Sequence, residues 1–272
     1  MKRKLFFGGL LVLAFLNLHC SHELFAQKTE TRNVSGFSAI KATSVFEITV
    51  NKSATESLVI EADEKVMPYV RSEVKNGVLR LYLEDGSKIK NIKILRATVG
   101  IKELKRVELS GACSLKSDDV FTPQKFEMEL SGACAVKLNV KPDKLILDAS
   151  GACNIDLVAE AREAEFDCSG SSRLTMHLIA AKAFFDMSGA CKVDITGKAD
   201  KADYDMSGAC TIKAADWPCK VVSADCSGAG KLELNVSERL NIDASGMSTV
   251  TYKGRPTVHL ETSGMSKVKY VD

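Results

Sequence analysis

From residue 110 onward the pair Ser-Gly recurs with serines at 110, 131, 150, 169, 188, 207, 227, 245 and 263. The intervals are 18–21 residues, and five of the nine copies read Ser-Gly-Ala-Cys. A unit of that length cannot close a hydrophobic core alone, so the copies must stack and share one. Columns aligned on the serine show how. Five residues after it stand Leu115, Val136, Ile155, Leu174, Val193, Ile212, Leu232, Val250 and Val268. Three before it stand Val107, Met128, Leu147, Phe166, Phe185, Tyr204, Ala224, Ile242 and Leu260. Positions −3, −1, +5 and +7 share one parity, the period of two of a β-strand, with mostly polar residues between them. Coils about 4.8 Å apart would align these columns into continuous parallel sheets. The pattern predicts an all-β, single-stranded parallel β-helix of about nine coils of ~19 residues, right-handed by the general rule for parallel crossovers.

The cysteines obey the same parity. The +3 column reads Cys113, Cys134, Cys153, Ser172, Cys191, Cys210, Gly230, Ser248 and Ser266. Cysteine exchanges there with serine and glycine, which points to a demand for small volume inside the stack. Disulfides are the first rival, but side chains of stacked parallel residues run side by side instead of converging. A metal site would need a tetrahedral grouping, which one file of thiols does not supply. A nucleophile would need a base. Beyond residue 26 only His177 and His259 remain, about four coils apart. No GxSxG elbow, HExxH pair or phosphate-cradling glycine loop occurs, so no catalytic residue and no cofactor is assigned. Cys219, in Asp-Trp-Pro-Cys-Lys, lies outside the repeat columns and is expected to be the first thiol to react.

The column two before the serine is acidic in all nine copies: Glu108, Glu129, Asp148, Asp167, Asp186, Asp205, Asp225, Asp243 and Glu261. By parity it faces outward. Two readings fit this ladder. It is architectural, solvated or partnered by Ser-Gly amides, the serine column and lysines such as Lys137, Lys192 and Lys231. Alternatively, a divalent cation such as calcium bridges carboxylates of successive coils.

The N-terminus is a different object. A basic Met-Lys-Arg-Lys start, an apolar run over residues 5–18 and Ala26 before Gln27 form a signal peptide, residues 1–26, cut after Ala26. A lipid-anchored product at Cys20 is the alternative. Removal of Lys2, Arg3, Lys4 and Glu23 takes the net charge from +2 to 0. A neutral chain has no general electrostatic case for nucleic acid. No later apolar run is long enough for a transmembrane helix. Residues 27–272 are expected to form one domain, with residues 27–100 as N-terminal capping coils and 101–272 as the Ser-Gly coils. Strand alternation continues through the capping segment, with Asn76-Gly77 as a hairpin turn.

Arg32-Asn-Val-Ser-Gly-Phe-Ser-Ala-Ile-Lys-Ala, then Val-Phe-Glu-Ile-Thr-Val from Val45 and Glu-Leu-Lys-Arg-Val-Glu-Leu-Ser-Gly-Ala from Glu103, resemble the putative auto-transporter adhesin head GIN family of Bacteroidetes. The likeness runs from Arg32 to about Tyr270. It implies an exported, periplasmic or surface β-helical protein of the cell envelope, with adhesion to a glycan or protein partner as the activity. It carries over no functional residue. A β-helix enzyme acting on polysaccharide is the competing reading, and its sites need long loops that coils of this length do not leave room for. A sensing or structural envelope module is the third. Charges at Lys267, Lys269 and Asp272 are expected to discourage pairing of the last edge, giving a monomer.

Overall fold

The computed structural model describes residues 27–84 and 89–272; the expected signal peptide, Cys20 and the expected cleavage site lie outside the described residues. Within them there are 20 strands and one short 3-10 turn. Most of the strands stack in parallel as a β-solenoid.

Two sheets carry the stack. At the first end of the stack each sheet has its own strands, beginning in chain order with β2 (Ala39–Ala42) and β3 (Glu47–Lys52). The next pairs are β8 (Arg106–Gly111) with β9 (Ser114–Phe121), β10 (Lys125–Gly132) with β11 (Ala135–Val140), and β12 (Lys144–Gly151). From there single long strands pass through both sheets: β13 (Asn154–Cys168), β14 (Arg173–Met187), β15 (Lys192–Met206), β16 (Thr211–Cys226) and β17 (Lys231–Ala244). The first half of β13 pairs in parallel with β11 and its second half with β12. The stack ends in β18 (Thr249–Lys253), β19 (Thr257–Thr262) and β20 (Lys267–Tyr270).

The N-terminal segment is not laid down in chain order. β6 (Val78–Leu83) and β7 (Leu95–Ile101) pack outside β2 and β3, while β8 and β9 pack on their other side. The end is finished by antiparallel strands. β5 (Val70–Lys75) pairs with β6, and β1 (Gln27–Arg32) pairs with β4 (Ser57–Asp63), which pairs with β7. Asn76 and Gly77 both take positive φ, 53° and 73°, as a two-residue hairpin between β5 and β6 requires.

The inward columns are as the parity predicts. Residues at −3 are 0–4% exposed from Val107 to Ile242, and the +5 column is equally buried from Leu115 to Val250. One apolar cluster runs from Phe37 to Val250. Within it Phe166, Phe185 and Tyr204 stack with centroids 4.9 and 5.0 Å apart, the spacing of the coils. The glycine after each serine meets two demands together. Gly170 has φ +80°, and a Cβ there would lie 2.5 Å from the Gly151 carbonyl oxygen of the preceding coil. Only the absence of a side chain lets the turns stack so closely.

The single interval of 20 residues between Ser207 and Ser227 is absorbed in β16. Its register against β15 shifts between Lys213 and Cys219. Trp217 turns inward at this point, edge-on to Phe185, and its indole N–H donates to the Leu178 carbonyl 2.8 Å away, two coils back. The extra residue also reverses the parity from Trp217 to Cys219, as far as the next bend. Cys219 therefore faces the core beside Ala199 and Val236 and is 3% exposed, against the expectation that it would be the accessible thiol.

Candidate functional site

The Ser-Gly-Ala-Cys turn has a hydrogen-bond logic beyond small volume. The thiols of Cys113, Cys134, Cys191 and Cys210 each donate to the carbonyl of the serine three residues earlier, at 3.3–3.4 Å. Where serine replaces cysteine, the Ser248 and Ser266 hydroxyls make the same bond at 2.9 Å. The column thus selects a small donor that closes the turn from inside. All eight described cysteines are buried and unpaired. Burial pushes the Cys219 and Cys226 thiols up to about 12 and raises Cys168 further. Cys134 and Cys210 are held up by their contact with a stacked thiol, Cys153 and Cys191 respectively, and then by burial. The same contact with a stacked thiol acts in the opposite sense on Cys153 and Cys191, easing their ionisation against the pull of burial. An eased thiol is reactive only where a substrate can reach it, and these two are 1–2% exposed. The cysteine file is packing and turn chemistry.

The histidines do not join it. His177 Nδ1 lies 3.1 Å from Thr196 Oγ1 on one outer surface, and His259 lies 3.5 Å from Glu261 in the last coil.

The acidic column is a true ladder. Glu108, Glu129, Asp148, Asp167, Asp186, Asp205, Asp225, Asp243 and Glu261 pair one to the next in register along one sheet, and their side chains face outward. Its partners differ from those expected. Lys231 pairs instead with Glu233 at 2.6 Å, and neither Lys137 nor Lys192 forms an ion pair with the column. The Ser-Gly amides are already used: Ser169 N–H donates to the Ala149 carbonyl at 2.9 Å and Ser188 N–H to that of Cys168 at 2.9 Å. The cations come from elsewhere. Lys41 pairs with Glu108, and Arg106 reaches Glu129 at 2.8 Å and Glu108 at 3.8 Å. Among the described residues, the six aspartates from Asp148 to Asp243 have no cation and no hydrogen-bond donor. Partial burial first, then the aspartates one coil to either side, raise the Asp186 and Asp225 carboxyls above the usual range. No three His, Cys, Asp or Glu side chains among the described residues converge as a metal site.

Lys41 belongs to this column although its stretch of sequence lacks the Ser-Gly landmark. Residues 39–50 are a further copy of the repeat, with Lys41 in register with Glu108 and Arg80 beyond it. Ser44, at φ 82°, stands where later coils have glycine, and Phe46 stands where they have cysteine. The usable signal is the alternation Ile40, Ala42, Phe46, Ile48, Val50, which matches the inward columns once the two landmark residues are ignored.

The model of the putative auto-transporter adhesin, head GIN domain, matches residues 36–183 and 158–256, which together span most of the described chain. This chain belongs to that family. Solved structures share the architecture of this head GIN protein. A putative adhesin from Parabacteroides distasonis superposes with a TM-score of 0.71 at 21% identity, covering 90% of this chain and 97% of that one. A putative adhesin from Parabacteroides merdae gives 0.66 at 22%, covering 90% and 96%. A protein from P. distasonis described as a putative lipid binding protein gives 0.66 at 20%, covering 90% and 97%. At these identities the likeness establishes fold alone. No curated protein matches the chain. Family membership supports an adhesin-like protein of the cell envelope. No described helix is long and apolar enough to cross a membrane.

Proposed function

We propose that this head GIN protein is exported by cleavage after Ala26 and acts without catalysis, as a monomeric single-domain module over residues 27–272 that binds an envelope glycan or protein through its flat solenoid faces. The observation that carries the reading is the register: outward side chains repeat in straight columns over many coils, matching a repetitive ligand unit for unit. Family membership and the absence of a long loop between the Ser-Gly coils support the same reading. The acidic column is read as a solvated ladder that shapes and solubilises one face, with Lys41 and Arg106 closing its first end. Mass spectrometry of the mature N-terminus tests the export step. A glycan and protein array probed with residues 27–272 tests binding; retention of no ligand of either class would refute it.

A further inference from the structure

A groove of about 810 Å³ runs along a corner of the solenoid from Lys141 to Ser237, on the side where the long strands bend between the two sheets. Its floor is the in-register column Ala161, Ala180 and Ala199, each 7–8% exposed. The walls are charged beside Ala161 and Ala199, through Glu160 and Arg162 and through Lys198 and Asp200, and apolar beside Ala180, at Ile179 and Ala181. Two of their carboxylates are already neutralised, Glu160 by Lys141 and Asp200 by Lys220, each at 2.8 Å. Asp143, which among the described residues has no ion pair, stands at the first end of the groove, where its carbonyl accepts from the Arg162 backbone N–H. Arg162 and Lys198 are exposed, flank the alanine floor from opposite walls and, among the described residues, have no ion pair. Glu160, Ile179 and Lys198 are in register, so Lys198 stands two coils beyond Arg162.

We propose that this groove binds a linear acidic polysaccharide carrying a carboxylate on every second sugar. The inference rests on the glycan-binding reading above and specifies its site and ligand class. An extended pyranose chain advances per sugar by nearly the rise of one coil, about 4.8 Å, so one sugar lies over each floor residue. The alanine methyls offer a shallow apolar strip to the C–H face of each ring, and any larger side chain there would fill the groove. Two coils separate the free cations by about 9.6 Å along the axis, the repeat of a chain with alternate uronates. Arg162 can then take one carboxylate through two parallel N–H bonds, while Lys198 meets the next as a point charge. A fully neutral glycan would leave both cations without a use. A polymer charged at every sugar would set a further carboxylate over Ala180, between Ile179 and Ala181, where the walls offer no cation.

Hyaluronan decasaccharide, which has one carboxylate per disaccharide and no sulfate, is the probe, with chitin oligosaccharide as its neutral counterpart. Binding of residues 27–272 is followed by calorimetry, alongside thermal unfolding of each variant. The expected result is hyaluronan binding that weakens with salt and drops about tenfold or more in Arg162→Ala/Lys198→Ala. Lys116→Ala, an exposed lysine on another surface, should leave it unchanged, and neither change should lower the unfolding temperature. Undiminished binding by the double variant overturns the proposal. So does failure to bind hyaluronan while another glycan on the array is retained, a result that leaves the broader glycan reading standing. If no glycan of any class binds, both fall together.

Discussion

Replacing Gly170 by alanine tests whether the stack depends on backbone contact at the Ser-Gly turns. The residue holds φ +80°, where an L side chain costs roughly 1–2 kcal/mol. The added Cβ also meets three backbone atoms of Gly151, its oxygen at 2.5 Å, its nitrogen at 3.0 Å and its carbonyl carbon at 3.2 Å. None of these can rotate aside. Relief requires the two turns to separate, which strains the bond from Ser171 N–H to the Gly151 carbonyl, now 2.7 Å. Leaving such groups unsatisfied costs about 1–3 kcal/mol, so the total loss should be about 2–5 kcal/mol. Gly36 supplies the control. It has nearly the same φ, +76°, but a Cβ there meets nothing within 4 Å. Gly36→Ala should therefore cost only the conformational part, roughly 1–2 kcal/mol. Urea unfolding of both variants, extrapolated linearly to water, gives the difference directly. Equal losses would show that the turns are not held in contact and would refute the stacking argument.

Native thiol labelling should modify few of the eight described cysteines, Cys219 included, and fast labelling of most would contradict their inward placement. Cys153→Ala should cost about 1 kcal/mol, the order of one turn hydrogen bond, whereas Cys153→Glu should unfold its coil by burying an unpaired charge, and chemical denaturation of the pair separates them. For the ladder, the raised folded-state pKa of Asp186 means that its ionisation disfavours folding: stability from this group is present at low pH and is lost as pH rises through the folded value. Asp186→Asn should thus raise the unfolding midpoint slightly at pH 7 in low salt, with the gain fading as the pH falls through the raised folded value and gone below the ordinary aspartate range. A destabilised variant at pH 7 would mean that the aspartate has a favourable partner. Millimolar calcium, or a chelator, should leave the wild-type midpoint unmoved; a rise with calcium would turn the ladder into a cation site.

The solenoid is legible in the sequence because a β-strand has a period of two and a stack repeats its landmarks. Once the serines are aligned, Val107 to Ile242 and Leu115 to Val250 can only be core, and the acidic residues two before the serine can only be outside. The features that escape such a reading have physical causes. Lys41 hides because Ser44 and Phe46 displace the glycine and cysteine by which a coil is recognised, although the strand pattern around them persists. Cys219 is misplaced by a column count because a bulge changes parity without changing local composition. The order β6–β2–β8 cannot be read at all, since every one of those strands presents the same alternation and nothing local says which neighbour it takes. The corner groove is invisible for a related reason. It forms where alternation breaks, with Ala161 and Ala164 both buried across a bend, and a count anchored on the serine passes over it.

We propose that the corner groove of this head GIN protein holds an alternately carboxylated glycan without cleaving it. The most direct measurement passes purified residues 27–272 over immobilised hyaluronan and assays the same polymer in solution for new reducing ends and for unsaturated sugar products. The account predicts retention that salt reverses, with a polymer of unchanged length after prolonged incubation. New chain ends that increase with protein concentration would contradict the non-catalytic reading, and passage through the matrix without retention would contradict the assignment of the groove to this polymer.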